Sequence, residues 1–285
     1  MPGQPKRPAE TENRQRIAAP RRPRKRLGQH FLTDRHILQR ILAAARLSPS
    51  DTVVEVGAGR GILTQGLAQD AGRVIAVEID EALCEQIRLR LAPHPNVTII
   101  CGDILALPPE ELLARADAAL PYVVVANLPY YIASAVLRRF LEAETPPQQL
   151  IVMVQAEVAE SMSAEPGRMG LLSVATQFYA EARILFYVPP RAFRPPPKVR
   201  SAVVRLDVRP EPAVTVDDRE AFFRLVRAGF SAPRKQLRNV LALGLGIEPT
   251  AAEALLAAAA IDAQRRAQAL SMEEWARLYE AWRRQ

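Results

Sequence analysis

A glycine-rich segment, Glu55-Val56-Gly57-Ala58-Gly59-Arg60-Gly61, comes directly after a run of apolar residues. Glycines at such a position let a strand turn sharply into a helix while the backbone comes close to a ligand. The spacing is G-x-G-x-G, and it differs from the G-x-G-x-x-G that cradles the pyrophosphate of a dinucleotide. The segment therefore predicts a loop for a nucleoside ligand that has no pyrophosphate.

Two carboxylates extend this candidate site. Glu78 stands 21 residues after Gly57 at the end of the next apolar run, and Asp103 follows the end of the run after that. Doubly wound folds place an acid at the first of these positions on ribose hydroxyls, and the second acid is placed to meet an adenine amine. The alternative for each acid is a helix cap or a solvated strand end. Taken with Gly57 and Gly59, the acids predict that the chain binds S-adenosylmethionine.

The segment Asn127-Leu128-Pro129-Tyr130 follows a fourth apolar run. An amine attached to an aromatic ring is a poor nucleophile because its lone pair is delocalised into the ring. The Asn127 side-chain oxygen and the Leu128 carbonyl offer two acceptors that can hold such an amine near a methyl donor. Pro129 stiffens the turn, and Tyr130 offers a face for a base. The segment predicts methyl transfer to adenine N6, and the alternative is a structural turn with core tyrosines.

Alternating strand and helix patterns position these motifs. The predicted strands are Thr52–Val56, Val74–Val77, Val97–Cys101, Tyr122–Ala126 and Leu150–Val154. Helices are predicted from Asp34 to Arg46, after the glycine segment to about Gln69, and over Glu81–Leu91 and Ala133–Leu141. This rhythm predicts an α/β fold with a parallel, doubly wound sheet. Ligands of such sheets bind at the carboxyl ends of the strands, so the three motifs are expected to converge there.

The pattern divides the chain into three segments. Residues 1–23 are rich in Pro, Arg, Gln and Glu with almost no apolar residues, which predicts a disordered basic arm. An α/β domain is expected over residues 24–209. Pro210 and Pro212 mark a linker, and only helical periodicity follows from Asp217, so residues 210–285 are expected to form a small α-helical domain.

The distribution of charge favours a polyanionic partner. Residues 1–26 carry a net charge of +7, residues 27–182 carry −7, and residues 183–285 carry +7. Two basic regions on either side of an acidic one are typical of a protein that grips a nucleic acid through its ends. An ordinary solvated surface is the alternative.

Composition excludes several other classes. The longest apolar runs, such as Leu150–Val154 and Ala254–Ile261, are too short to cross a bilayer, and no apolar segment follows the basic N-terminus as in a secretory signal. Cys84 and Cys101 have neither metal-binding nor disulfide spacing, so each is expected to pack as a small hydrophobic side chain in a reducing compartment. We expect a cytoplasmic protein without a metal site.

At this point the chain resembles the ribosomal RNA adenine dimethyltransferases, the KsgA-like family of small-subunit rRNA enzymes. The resemblance runs from about Arg24 to about residue 280. Beyond the Asn127–Tyr130 segment, four stretches carry it: Arg26–Leu32 (RLGQHFL), Phe193–Val199 (FRPPPKV), Ser201–Leu206 (SAVVRL) and Phe230–Asn239 (FSAPRKQLRN). Two departures stand out. Ala156 occupies a position that is usually basic in the family, and Ala232-Pro233 replaces a pair that is often polar and basic.

The resemblance implies a Rossmann-like class I methyltransferase fold and a role for each matched residue. It places His30 and Leu32 on S-adenosylmethionine together with Gly57, Gly59, Glu78, Asp103 and Asn127. It implies that Asn127, Leu128, Pro129 and Tyr130 are catalytic and that Phe193 stacks on the target base. It also implies that Lys198, Arg234, Lys235 and Arg238 contact RNA.

The activity implied by the resemblance is dimethylation of two adjacent adenines in a hairpin near the 3′ end of 16S rRNA, by a monomer acting on the immature small subunit. Three alternatives stay open. A large-subunit rRNA adenine methyltransferase of the macrolide-resistance type shares both main motifs, although the Pro-Pro-Pro-Lys-Val stretch favours the small-subunit class. A non-catalytic ribosome-assembly or transcription factor could use the same fold. A small-molecule methyltransferase is disfavoured by the two basic regions.

Overall fold

The computed structural model describes residues 29–284. The predicted arm, residues 1–23, lies outside this range. The strands are β1 (Phe31–Leu32), β2 (Thr52–Val56), β3 (Arg73–Glu78), β4 (Val97–Cys101), β5 (Tyr122–Asn127), β6 (Gln149–Gln155), β7 (Ala180–Val188), β8 (Phe193–Arg194) and β9 (Ser201–Val208). The first seven helices are α1 (Arg35–Ala45), α2 (Ile62–Asp70), α3 (Glu81–Leu91), α4 (Pro109–Arg115), α5 (Ala133–Leu141), α6 (Ala156–Met162) and α7 (Leu171–Tyr179). Four more follow, α8 (Arg219–Gly229), α9 (Leu237–Leu245), α10 (Pro249–Ala258) and α11 (Met272–Arg283).

Seven strands form one sheet in the order β4-β3-β2-β5-β6-β9-β7. The five strands from β2 to β6 pair in parallel, which confirms the predicted doubly wound α/β architecture. The last two depart from it, because β9 runs antiparallel to both β6 and β7. A separate two-stranded ladder joins β1 to β8 and pairs Leu32 with Phe193.

Both faces of the sheet are covered, which explains why its central strands are continuous apolar runs rather than alternating ones. In β2, Val53 and Val54 point to opposite faces and both are buried. The face of Val53 packs on α1 and α2, while the face of Val54 packs on α4, α5 and α6. Helix α3 covers the remaining part of the sheet near the glycine loop.

The C-terminal helices α8 to α11 have a core of their own, centred on the fully buried Phe222 and Trp275. This core also includes α7, since the Phe178 ring lies 5.2 Å from the ring centroids of both Phe222 and Phe223. The helical region therefore packs directly on a helix of the α/β region.

The two cysteines differ from the prediction. Cys84 on α3 and Cys101 at the end of β4 form a disulfide, with their Cα atoms 6.0 Å apart. The expectation of two separate buried thiols was therefore wrong. The pairing arises because α3 packs against β4, a contact between elements that the 17-residue spacing does not reveal.

Within residues 29–284, no single helix is long and apolar enough to cross a membrane. Helices α9 and α10 reach the required length and composition only as a pair, and that pair is bent by 115°. Leu241 and Leu255 of the pair are fully buried in the C-terminal core, so its apolar residues are explained by packing.

Candidate active site

The carboxyl ends of β2, β3, β4 and β5 and the segments after them surround a cavity of about 370 Å³, here called the cleft. Its lining comprises Gln29–Leu32, Glu55–Arg60, Ile62, Leu63, Val77–Ile79, Gly102–Leu105 and Asn127–Ile132. This volume lies in the range of ordinary small-molecule sites. The glycine segment, both acids and the Asn127–Tyr130 segment converge on it, as the sequence predicts.

The glycine loop needs its glycines for two reasons. Gly57 and Gly59 have φ angles of +75° and +59°, which residues with a side chain rarely adopt. A Cβ atom on Gly57 would lie 3.4 Å from Pro129 Cδ, and one on Gly59 would lie 3.3 Å from the Phe31 ring. The loop therefore lies against both Phe31 of β1 and the Asn127–Tyr130 segment.

Glu78 holds the glycine loop to the end of β3. Its Oε2 accepts a hydrogen bond from the Gly59 N–H at 2.8 Å, and its Oε1 accepts one from the Asp80 N–H at 3.0 Å. The side chain is 5% exposed, yet it lines the cleft, and each carboxylate oxygen retains acceptor capacity for a hydroxyl. Asp103 is exposed at the cleft, with one oxygen accepting from the Leu105 N–H at 2.9 Å.

Glu55 is the least expected side chain in the cleft. It is 1% exposed, and its Oε2 has no hydrogen-bond partner among the described residues. Burial raises the pKa of Glu55 from 4.5 to about 8; the nearby Thr64 hydroxyl opposes the rise without closing a hydrogen bond, and the Glu78 carboxylate adds to it. Glu55 is therefore mostly protonated at neutral pH, and a cationic ligand would favour its ionised form.

The Asn127 amide is oriented by the backbone carbonyl of His30. Its Nδ2 donates to the His30 carbonyl at 3.5 Å, which leaves Oδ1 as the acceptor of this side chain. The Leu128 N–H bonds to the Met153 carbonyl at 3.1 Å, while no described residue donates to the Leu128 carbonyl. Tyr130 follows with its hydroxyl 2.6 Å from Ser201 Oγ. The segment thus presents two acceptors and an aromatic ring at the cleft.

Comparison with known proteins identifies this arrangement. Residues 21–283 match the family model described as ribosomal RNA adenine dimethylase. The chain belongs to the ribosomal RNA adenine dimethylase family. Its fold is that of S-adenosylmethionine-dependent methyltransferases, and S-adenosylmethionine is the methyl donor of the family.

Individual relatives align with this chain over most of its length and most of their own. A protein of Dehalococcoides mccartyi named ribosomal RNA small subunit methyltransferase A is 50% identical over 89% of this chain and 86% of its own. A protein of the same name from Alkaliphilus oremlandii is 42% identical over 88% of each chain. Among solved structures, the 23S rRNA methyltransferase ErmE is 31% identical, with a TM-score of 0.68 over 88% of this chain and 98% of its own. A dimethyladenosine transferase of Plasmodium falciparum has the same fold, with a TM-score of 0.75 at 23% identity over 90% of this chain and 98% of its own.

Ten of the fifteen residues singled out in the sequence line the cleft of this dimethylase family member. They are His30, Leu32, Gly57, Gly59, Glu78, Asp103, Asn127, Leu128, Pro129 and Tyr130. Their individual roles stay predictions, but the structure brings them together. The other five are Phe193, Lys198, Arg234, Lys235 and Arg238.

The structure corrects the placement of Phe193. Its ring is 1% exposed and belongs to the core that includes Leu32, opposite it in the β1–β8 ladder. Phe193 and Leu32 are both buried, whereas the next residue, Arg194, is exposed. A buried Phe193 offers no face to a base, so we leave it out of the proposed site.

The predicted RNA contacts lie outside the cleft, and their role stays a prediction. Arg234 and Lys235 are exposed in the turn between α8 and α9. Arg238 on α9 is half-buried and forms an ion pair with Glu253. Lys198 is exposed outside the cleft.

Three of the cleft residues that the sequence analysis did not propose as site residues differ most from expectation. Glu55 carried a signal, since it is the acid in the otherwise apolar stretch Thr52–Val56. Ile79 and Tyr131 are 48% and 59% exposed, and they line the cleft although such side chains usually seek burial. Their neighbours Glu78 and Tyr130 marked the right positions, but nothing in the sequence showed that they would stay exposed.

The cleft fits S-adenosylmethionine. The cofactor carries a ribose, an adenine, a cationic sulfonium and an amino-acid end. Glu78 and Asp103 supply acceptors for hydroxyl and amino groups. Glu55 supplies a buried carboxyl group whose Oε2 has no hydrogen-bond partner within residues 29–284. No cluster of metal-binding side chains occurs among residues 29–284.

We predict that Glu78→Ala weakens binding of S-adenosylmethionine by roughly 1–3 kcal/mol, because charge-assisted hydrogen bonds are lost. Isothermal titration calorimetry measures the change. Glu85→Ala is the matched control, since it removes the charge of an exposed acid on α3 outside the cleft. Equal affinities for the two variants would exclude a ligand contact by Glu78.

We predict that Glu55→Gln makes the cofactor-free protein more stable at pH 8 than the wild type, but not at pH 4. Between about pH 4.5 and 8 the unfolded chain releases the Glu55 proton while the folded protein keeps it, so wild-type stability falls as the pH rises. Thermal melts of both proteins across this range measure the difference. A difference that does not grow with pH would contradict the raised pKa.

Proposed function

We propose that the chain transfers methyl groups from S-adenosylmethionine to N6 of two adjacent adenines in a hairpin near the 3′ end of 16S rRNA. The product is N6,N6-dimethyladenosine. We further propose that the protein acts as a cytoplasmic monomer on the immature small ribosomal subunit. The likeness to small-subunit methyltransferases at 42–50% identity supports this choice of substrate.

One observation carries the proposal. The Asn127 side chain uses its nitrogen on the His30 carbonyl, so its oxygen and the Leu128 carbonyl stand as two acceptors at the cleft. An adenine amino group has two hydrogens to donate. The acceptors suit that group better than a hydroxyl or a ring nitrogen, neither of which offers two donors.

Catalysis in this proposal consists of positioning and exclusion of water. When bound, S-adenosylmethionine supplies an electrophilic methyl group for direct in-line transfer. The Asn127 and Leu128 oxygens hold N6 and accept more strongly as positive charge develops on it. Tyr130 receives the base after it has left its stack. After one transfer the methylated nitrogen releases a proton to water, and rotation of the amine presents its lone pair again. A second transfer then requires a fresh methyl donor and space for the first methyl group.

The RNA is held, in this proposal, by charges away from the cleft. Arg234 and Lys235 form no ion pair with any residue that the structure describes, which leaves them available to phosphates. Ala156 and Pro233, at positions where the family is usually basic or polar, reduce the number of such contacts.

Methylation of the large subunit is the second candidate, favoured by the 31% identity to the 23S rRNA methyltransferase ErmE. The two are separated by incubating the protein with small and large subunits from a host that lacks the 16S modification. Mass spectrometry of the rRNA then locates dimethyladenosine. Product in 23S rRNA alone would overturn the proposal, and no product in either would favour a non-catalytic assembly factor.

We predict that Asn127→Ala lowers the rate of methyl transfer by roughly a hundredfold or more, the scale of a lost preorganised contact. Its amide cannot take a proton at neutral pH, so its effect comes from hydrogen bonding. The measurement is a single-turnover assay with RNA and cofactor saturating, and RNA affinity should change far less than the rate. A folded variant that methylates at the wild-type rate would end this mechanism.

We predict that the double variant Arg234→Ala/Lys235→Ala flattens the salt dependence of RNA binding by up to about two phosphate equivalents. Arg115→Ala/Arg183→Ala is the matched control, because both of these arginines are exposed and already paired with an acid. RNA affinity is measured by filter binding between roughly 50 and 200 mM salt. Identical slopes for the two variants would show that the turn before α9 does not contact RNA.

A further inference from the structure

Two residues outside the Asn127–Tyr130 segment hold Tyr130 in place. Its hydroxyl lies 2.6 Å from Ser201 Oγ, and its ring stacks on the His30 ring with centroids 5.9 Å apart and planes inclined by 29°. Ser201 is fully buried at the first position of β9, between β6 and β7, so the sheet fixes its hydroxyl. The Tyr130 ring is therefore anchored at its hydroxyl end and stacked against the His30 ring.

His30 is itself fixed on both its ring and its backbone. The ring Nδ1 lies 2.8 Å from the Pro195 carbonyl oxygen, and because that oxygen can only accept, Nδ1 carries the proton. The His30 carbonyl accepts from Asn127 Nδ2. His30 thus contacts both Asn127, the proposed acceptor for N6, and the Tyr130 ring, which is proposed to receive the base.

The Tyr130 hydroxyl keeps its proton at neutral pH. Burial raises the pKa of Tyr130, and the hydrogen bond to Ser201 opposes part of that rise. A neutral phenol next to a serine hydroxyl can form a hydrogen bond in either direction. The contact therefore does not depend on pH in the physiological range.

We propose that His30 and Ser201 are positioning residues for methyl transfer. They hold Tyr130 so that its uncovered face receives the adenine while Asn127 reaches N6. This inference rests on the proposed function. Misplacement of a reacting group by 1 Å can cost about a hundredfold in rate, so a ring free to rotate would slow the reaction without any loss of cofactor contacts.

The hydroxyl contact is tested by a double-mutant cycle of Ser201→Ala and Tyr130→Phe in the single-turnover assay. Each variant should lower the rate about three- to tenfold, the range expected for one hydrogen bond. The double variant should be no slower than the slower single one, because both changes remove the same contact. If the two effects multiply, or if Ser201→Ala transfers methyl at the wild-type rate, Ser201 does not act through Tyr130.

The stacking contact is tested by comparing His30→Phe with His30→Ala. Both retain the backbone carbonyl that receives Asn127 Nδ2, but only phenylalanine retains a ring against Tyr130. We expect His30→Ala to be slower than His30→Phe, with saturating cofactor removing any effect on its affinity. Equal rates would overturn the positioning role of the His30 ring.

A second readout separates this inference from the choice of substrate. In protein with isotopically labelled tyrosine, the ring signals of Tyr130 are assigned by their absence from Tyr130→Phe. They should shift and broaden in Ser201→Ala as the ring gains freedom, whichever RNA the protein methylates. Unchanged Tyr130 signals would overturn the inference even if 16S rRNA is the substrate, whereas changed signals without 16S methylation would overturn only the proposed function.

Discussion

The parallel pairing of β2 with both β3 and β5 is the constraint on which the rest of the site depends. The register aligns Val56 with Val77 and Val54 with Val124. Continued by one residue, the pairing of β2 with β3 puts Gly57 level with Glu78. Continued by three residues, the pairing of β2 with β5 puts Gly57 level with Asn127. Three segments from distant parts of the chain therefore leave the sheet at the same height. Pro129 can then lie against the glycine loop, and a single ligand can touch all three segments.

The distribution of charge suits a protein that must bind both a cationic cofactor and an anionic RNA. The cleft is lined by Glu55, Glu78 and Asp103, and the region from residue 27 to 182 is net acidic. Acids favour a cationic cofactor but repel an RNA backbone, so phosphate contacts are more favourable away from the cleft. The exposed Arg234 and Lys235 in the helical region meet that requirement. Burial is the main cause of the raised pKa of Glu55, and the charge of Glu78 adds to it.

The sequence predicted those parts of the fold that local patterns encode. Strand Thr52–Val56 and helix Glu81–Leu91 have the predicted bounds. The strand is buried on both faces of the sheet and the helix on one face, and burial of this kind directly determines which residue types occur. The antiparallel edge strand Ala180–Val188 was missed because its exposure alternates but its residue types do not, since the exposed Leu185 and Tyr187 are apolar as well. The contact of Tyr130 with Ser201 spans 71 residues and was also missed, because it depends on how β9 enters the sheet. Long-range pairs of this kind leave no spacing signal.

Phe193 shows how a matched motif can mislead about a side chain. The sequence suggested a base held between two aromatic rings, but the β1–β8 ladder buries Phe193 beside Leu32. Of Phe193 and Tyr130, only Tyr130 lines the cleft, and its ring already stacks on the His30 ring. A second ring would have to leave the core, which costs roughly 1.5–3 kcal/mol for a buried phenylalanine. Stacking on a base stabilises by about 1–3 kcal/mol, so moving Phe193 from the core onto the base would gain little free energy. Capture of the base by the open face of Tyr130 is the arrangement that the packing favours.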